Sequence, residues 1–161
     1  MRQNLEGQGR DISLRRWVLT NAFYLGGLWD LLTTFLGSLI ILGSVTFISL
    51  GLSLVGAVTV GAFNLSTQAI WGQRQVTRRQ VIVLRVIWLF AIAFDFWTSL
   101  TCNATYVALE TFKPGQADSL IRLLSQLTGG QILIVMFVTI LSTFSPMMVS
   151  SLRNRDIDGL P

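Results

Sequence analysis

The segment WVLTNAFYLGGLWDLLTTFLGSLIIL, residues 17–42, carries one charged residue, Asp30, in an otherwise uncharged and mostly apolar run. A helix needs about 20 mostly apolar residues to cross a bilayer, so this run is long enough to span a membrane. Three further segments meet the same criterion, at about 45–71, 81–107 and 131–149. The sequence therefore predicts an all-α polytopic membrane protein with four transmembrane helices in two hairpins, the first closed by a tight turn near Gly43.

The composition of the whole chain agrees with this class. Of the 161 residues, 52% are hydrophobic and 12% are charged, whereas an average soluble domain is roughly 25% charged. The formal net charge is +4, and the arginines lie in short clusters between the apolar runs. Nucleic-acid binding requires a basic patch on a soluble face, so we expect the lipid bilayer, and no nucleic acid, as a partner.

The positions of the basic residues predict the orientation of the chain. Only Lys113 and Arg122 lie between the third and fourth spans. The other ten of the twelve lysines and arginines lie before the first span, between or at the edges of the second and third spans, or after the fourth, which four spans place together on the other side of the membrane. Cytoplasmic segments carry such an excess, which places both termini in the cytoplasm. We expect one domain over 1–161, with a cytoplasmic segment at 1–16, an outer loop at 108–130 and a cytoplasmic tail at 150–161. The membrane is expected to be a bacterial-type cytoplasmic or thylakoid membrane.

The outer loop contains apolar residues at helical spacing. These residues are Ala117, Leu120, Ile121, Leu124 and Leu127. The pattern predicts one amphipathic interfacial helix on the outer membrane surface, ended by Gly129 and Gly130. The alternative is that the loop residues only extend the fourth transmembrane helix.

A short motif occurs in both the first and the third span. WDLLTT at 29–34 aligns with FDFWTS at 94–99, so each copy has an aromatic residue, an aspartate, two hydrophobic residues and two hydroxyl residues in that order. The second and fourth spans share the sequence Leu-Ser-Thr, at 65–67 and 141–143. Two parallel internal repeats, related by an axis along the membrane normal, account for this pattern. Chance recurrence of common residues is the alternative.

Asp30 and Asp95 are the unusual residues of the predicted spans. An ionised carboxylate in the middle of a bilayer costs at least about 2.5–3.5 kcal/mol, so two of them are expected to have a role. At about 1.5 Å per residue, Asp30 is roughly 21 Å along its helix from Arg16, and Asp95 is roughly 24 Å from Arg79. The two carboxyl groups should therefore lie at similar depth, either facing each other or lining one polar zone.

The first functional hypothesis is a homo-oligomeric channel or transporter subunit that handles protons or a small cation. Hard cations bind oxygen ligands, and hydroxyls beside a carboxylate supply oxygen without further charge. The predicted ion or proton site consists of Asp30, Asp95, Thr33, Thr34, Thr98 and Ser99. A seam of small residues suited to close helix packing runs along the second helix and consists of Ser49, Ser53, Ala57 and Gly61.

The alternative hypothesis is a non-catalytic accessory, assembly or anchoring subunit of a larger membrane complex. In that case the aspartates bond to threonine hydroxyls or pair with a basic residue of another subunit. Two interpretations apply to Asn64 and Gln68. In one they continue a polar path from the aspartates, and in the other they join neighbouring helices.

We expect no enzymatic activity, no cofactor and no metal site. The chain has no histidine, which removes the commonest general base and metal ligand, and its single cysteine, Cys102, has no visible base. Two intramembrane acids also suggest an aspartyl protease. Such enzymes carry a Gly-x-Gly-Asp motif, whereas Ala-Phe precedes Asp95.

Overall fold

The computed structural model of the protein describes residues 3–72, 79–112, 114 and 119–157, and the side chains from 17 to 151 within those ranges. The described residues form six helices: α1 Gln3–Leu42, α2 Phe47–Leu65, α3 Thr67–Trp71, α4 Arg79–Leu109, α5 Leu120–Gln126 and α6 Gly129–Ile157. Four stretches are long and apolar enough to cross a membrane: Trp17–Leu42, Phe47–Leu65, Arg79–Leu109 and Gly129–Ser151. The predicted class, an all-α polytopic membrane protein with four transmembrane helices, is confirmed.

The four long helices form one bundle, in which α1 packs along α2, α4 and α6. Large apolar side chains on the outside of the bundle are exposed, as Phe47, Phe90 and Leu133 illustrate. Many of the buried side chains are instead serines and threonines. This distribution suits a bilayer, because lipid solvates the apolar surface while small and hydroxyl residues let helices approach closely.

A tight turn joins α1 to α2 near Gly43, as predicted. Gly43 has a φ of 69°, in the left-handed region that glycine adopts at little cost, and its amide donates to the carbonyls of Leu39 and Ile40 at 3.1 Å. The hydroxyl of Thr46 accepts from the amide of Ser49 at 3.2 Å, and the Ser49 hydroxyl accepts from the amide of Thr46 at 2.8 Å. This reciprocal capping box determines where α2 begins.

The second apolar segment is broken at Ser66, so the single span predicted over 45–71 is wrong in this detail. The helix α2 ends one residue before Ser66, and α3 begins one residue after it. The hydroxyl of Thr67 donates to the carbonyl of Asn64 at 2.7 Å and accepts from Trp88 Nε1 at 3.0 Å. These bonds satisfy a carbonyl at the end of α2 and hold the start of α3 against α4.

The connection between α4 and α6 contains a separate helix, α5, whose limits differ from the prediction. Thr128 forms a capping box with Gln131, in which the Thr128 amide donates to Gln131 Oε1 at 2.8 Å and the Gln131 amide donates to Thr128 Oγ1 at 3.4 Å. This cap starts α6 at Gly129. Gly129 and Gly130 therefore begin α6 instead of ending α5, and the alternative of one continuous helix is wrong.

The helix α5 is amphipathic. Leu123 is buried and Leu124 packs against an apolar cluster formed by α4 and α6, whereas Ile121 is exposed. The predicted apolar face is therefore partly wrong: Leu120, Leu124 and Leu127 pack on the bundle as predicted, Ile121 does not, and the buried Leu123 was not predicted. The position of this helix on the membrane surface stays a prediction, and Ala117 lies outside the described residues.

Helical structure extends further into both terminal segments than predicted. The helix α1 begins at Gln3, within the predicted cytoplasmic segment 1–16, and α6 continues to Ile157, within the predicted tail 150–161. Hydropathy indicates where a helix can leave a bilayer and does not mark where its backbone hydrogen bonding stops.

The helices α1 and α4 approach each other closely at Gly37. A β-carbon at this position would overlap the backbone carbonyl of Thr98, so glycine is required for this contact. Hydrogen bonds between the two helices join residues 61, 65 and 66 positions apart. Because Asp30 and Asp95 are separated by a similar number of residues, the two motif copies lie side by side at one level. This arrangement is compatible with the internal repeat, which stays a prediction.

Candidate ion or proton site

Asp30 of α1 and Asp95 of α4 lie in the interior of the bundle. Their side chains are 3% and 0% exposed, and both carboxyl groups lie beside the same side-chain amide, that of Asn64. Each aspartate lies on a helix face of small and hydroxyl residues, which is the face that packs against other helices. The two acids, which the sequence places at similar depth, therefore meet in the structure.

Asn64 of α2 joins the two carboxyl groups. Its Nδ2 atom donates to Asp95 Oδ2 at 2.6 Å and lies 3.4 Å from Asp30 Oδ2, so one amide bridges both acids. Asn64 is fully buried. The sequence suggested Asn64 as part of a polar path from the aspartates or as a link between helices. It did not predict the bridge between the two carboxyl groups, because a single asparagine in an apolar segment belongs to no motif that would pair it with both acids.

Hydroxyl groups of α1 and α4 extend the polar cluster. Thr34 donates to Asp95 Oδ1, and its hydroxyl lies 3.2 Å from that of Ser99. The hydroxyls of Thr33 and Ser99 are 2.8 Å apart. Three of the four predicted hydroxyl residues thus form one hydrogen-bonded group with Asp95.

Thr98, the fourth predicted hydroxyl residue, is buried but does not join this group. Its hydroxyl donates to the carbonyls of Phe94 and Asp95 in its own helix, both at 3.0 Å. Bonds to the preceding turn are common for threonine within helices. The structure therefore does not bring the Thr98 hydroxyl to the carboxyl pair.

Thr143 of α6 is a further hydroxyl residue near the site, because it lies close to the carboxyl of Asp30. It belongs to the second Leu-Ser-Thr sequence, so the repeat was the signal that could have identified it. Among the described residues, Asp30 Oδ1, Asn64 Oδ1 and Thr143 Oγ1 are buried without a hydrogen-bond partner. A buried polar atom without a partner costs about 1–3 kcal/mol, so each of these atoms can accept a further donor or a cation.

Gln68 lies outside the cluster around the acids. Its side chain donates to the hydroxyl of Ser151 in α6 at 3.1 Å, which makes it a contact between helices. At the other end of the bundle, Asn103 of α4 donates to the hydroxyl of Thr139 in α6 at 2.9 Å. Polar contacts between helices therefore flank the carboxyl pair on both sides.

The small-residue seam predicted on α2 packs mainly inside the chain. Ser49, Ser53 and Ala57 are buried in the bundle. Gly61 is half-buried, and a β-carbon at this position would lie 3.5 Å from the side chain of Leu31 in α1. A homo-oligomer would therefore have to use another surface of the protein.

Comparisons with known proteins assign no family to this chain. No family model matches the sequence, and neither the curated proteins nor the solved structures include a significant match. Function is therefore inferred from the residues and the geometry of the site.

Replacing Thr34 by valine is expected to weaken the bundle while keeping it folded. Valine resembles threonine in shape but cannot donate to Asp95 Oδ1. Hydrogen bonds between transmembrane helices contribute about 0.6 kcal/mol on average and up to about 1.7 kcal/mol. Because the acceptor is a carboxyl group, we expect a loss near the upper value in the free energy of unfolding. Unfolding by SDS in mixed micelles would measure this loss.

Thr101→Val is the matched control for this prediction. Thr101 of α4 is buried, as Thr34 of α1 is. Its hydroxyl, however, donates to the carbonyl of Trp97 in its own helix at 2.8 Å. We expect little change in this variant. An equal loss in both variants would show that the bond from Thr34 to Asp95 contributes nothing specific.

Proposed function

We propose that the protein transports protons or a small cation, and that Asp30 and Asp95 bind the transported charge. The observation that carries this proposal is that two buried carboxyl groups lie within reach of one amide nitrogen, that of Asn64. The residues that bond to the pair or lie beside it, within the described part of the chain, are Thr34, Asn64 and Thr143, and none of them is basic. Two carboxylates in contact repel each other unless a proton or a cation lies between them. The pair therefore offers a place for one positive charge that can be bound and released.

The atoms around the pair suit either a proton or a hard cation. A proton needs only the two carboxyl groups. A cation needs several oxygen ligands, and the unpartnered oxygens of Asp30, Asn64 and Thr143 supply carboxylate, amide and hydroxyl chemistry. One site can thus exchange one proton for one monovalent cation, which leaves its total charge unchanged.

The proposal includes a homo-oligomer in a bacterial-type cytoplasmic or thylakoid membrane, with both termini on the cytoplasmic side. The distribution of basic residues supports this orientation, because ten of the twelve lie in segments that the model of four spans assigns to one side. Four packed helices enclose no wide pathway, so further copies would contribute to it.

The test is ion flux in liposomes that contain the purified protein, measured with a trapped pH-sensitive dye under a sodium or potassium gradient. Asp30→Asn and Asp95→Asn retain the shape of the side chain but remove its exchangeable charge. We expect each variant to remain folded and its flux to fall to the level of protein-free liposomes.

Glu110→Gln is the matched control, because Glu110 is an exposed acid that lies just after α4. Its flux should equal that of the unaltered protein. Full flux in both aspartate variants would contradict the proposal.

A role as an accessory, assembly or anchoring subunit is the second candidate, and the bond from Thr34 to Asp95 favours it. Polar contacts of this kind position helices relative to one another. Extraction in mild detergent followed by native mass spectrometry separates the two candidates. Copies of this chain alone would support transport. Unrelated polypeptides in fixed stoichiometry, together with unchanged flux in the aspartate variants, would support the accessory role.

A further inference from the structure

A cleft between α1 and α2 leads to the carboxyl pair. Its volume is about 460 Å³, and the buried residues Asp30, Thr34 and Asp95 lie at its inner end. Pro146 and Val149 of α6 form part of its wall. Sites for small organic ligands typically have volumes of about 300–1,000 Å³. The cleft therefore offers far more space than a proton or a bare metal ion needs.

The lining of this cleft is mostly apolar. Of its fifteen lining residues, four carry a polar side-chain atom: Tyr24, Asp30, Thr34 and Asp95. The other eleven are aliphatic residues, glycines, one phenylalanine and one proline. Apolar walls cannot replace the water around a small inorganic cation, whereas they pack favourably against hydrocarbon. The cleft thus suits a ligand with an apolar body.

The outer side of the cleft faces the surroundings of the bundle. Leu28 of α1 and Val58 and Leu65 of α2 line the cleft and are each more than half exposed. They belong to the apolar outer surface of the membrane-spanning stretches. A ligand that partitions into the bilayer can therefore enter the cleft from the side.

The inner end of the cleft is acidic. Asp30 lines the cleft and is 3% exposed, and its Oδ1 atom has no hydrogen-bond partner within the described part of the chain. Asp95 lies beside it. Charge complementarity at this end therefore favours a cationic group.

We propose that the cleft binds a monovalent organic cation with an apolar body, whose charged group lies against Asp30 and Asp95. This inference rests on the proposed function, because it names the substrate class of the same carboxyl pair. The apolar body occupies the space between α1 and α2 and arrives from the bilayer. One proton leaves the carboxyl pair as one cation binds, so the charge of the site is conserved.

The probe for this inference is tetraphenylphosphonium, whose binding to the purified protein in a neutral detergent is measured by equilibrium dialysis. We expect saturable binding and the release of about one proton per bound cation in weakly buffered solution. Asp30→Asn should abolish saturable binding. Triphenylphosphine oxide, a neutral compound with a similar apolar body, should not compete.

Gly61→Leu tests the cleft separately from the acids. Gly61 lines the cleft, and a leucine there would occupy part of the space beside Leu31. We expect the affinity for tetraphenylphosphonium to fall at least about tenfold. Gly51→Leu is the matched control, because Gly51 is exposed on the same helix and a β-carbon there would meet nothing within 4 Å. If the leucine variant of Gly61 does not fold, Gly61→Ala replaces it, and a weaker affinity is again expected.

Several results would overturn this inference. They are the absence of saturable binding, equal affinities in the Gly61 and Gly51 variants, equal competition by the neutral compound, and a lipid or second copy that the probe cannot displace. Flux of a small cation that depends on Asp30 and Asp95 would in that case still support the proposed function. Flux that is independent of both acids would contradict the proposed function whatever the cleft binds.

Discussion

Replacing Gly37 by alanine is expected to separate α1 from α4 and to destabilise the whole bundle. The added β-carbon would overlap the backbone carbonyl of Thr98, which cannot rotate away as a side chain can. The helices must therefore shift, and overpacking of this kind costs about 1–3 kcal/mol. Because the obstacle is backbone, we expect a loss of about 3 kcal/mol in the free energy of unfolding.

The same substitution should also reduce ion flux. The contact at Gly37 lies one turn along α1 from Thr34, which donates to Asp95 across the same pair of helices. A shift of α1 against α4 would break this bond and change the distance between the two acids. Thermal unfolding in detergent and flux in liposomes would measure the two effects.

Gly51→Ala is the matched control for Gly37→Ala. A β-carbon at Gly51 would meet nothing within 4 Å, so alanine there should leave both the unfolding temperature and the flux unchanged. Identical unfolding of the two variants would contradict the close contact between α1 and α4.

Replacing Asn64 by leucine is expected both to destabilise the protein and to stop ion flux. Asn64 supplies the amide that lies between the carboxyl groups of Asp30 and Asp95. Removing the partner of a buried polar group costs about 1–3 kcal/mol, and more where the group is charged. Because two acids lose a partner at once, we expect the free energy of unfolding to fall by at least about 2 kcal/mol.

Gln68→Leu is the matched control for Asn64→Leu. It makes a comparable change one turn further along the chain, at a side chain that bonds to Ser151 and not to the acids. We expect a smaller loss of stability and nearly normal flux. If both leucine variants retained flux, Asn64 would have no part in positioning the carboxyl pair.

A double-mutant cycle can separate the bridge made by Asn64 from its packing. Asparagine at position 30 brings an amide donor of its own next to Asp95, so Asp30→Asn should recover part of the stability lost in Asn64→Leu. Residues that share a hydrogen-bond network typically show coupling of about 0.5–3 kcal/mol. Strictly additive losses would contradict the bridge between the two acids.

The limits of the helices show how far local patterns predict this fold. The turn at Gly43 was predicted because a run of this length cannot remain one span. The break at Ser66 was not, because the bond from Trp88 to Thr67 comes from another helix. The start of α6 at Gly129 was also missed, although the capping box of Thr128 and Gln131 is a local signal.

Some residues of the candidate site were predicted from a local sequence pattern, and others were found only in the structure. Asp30, Asp95 and Thr34 were predicted from a single motif that occurs twice. Asn64 and Thr143 come from the other two long helices, and neither position carries a charge that would distinguish it in an apolar segment. Their approach to the acids depends on how α2 and α6 are rotated about their own axes, which neighbouring helices determine.

By itself, the sequence determined that the chain is an all-α membrane protein with four spans and that its two intramembrane acids lie at similar depth. Apolar length and helical rise per residue are local quantities, so consecutive residues are sufficient to predict both. Only the tertiary structure decided that Asp30 and Asp95 lie beside the same amide of Asn64 and that the Thr98 hydroxyl bonds within its own helix. Those contacts depend on the rotation and close approach of separate helices, which packing such as that at Gly37 sets.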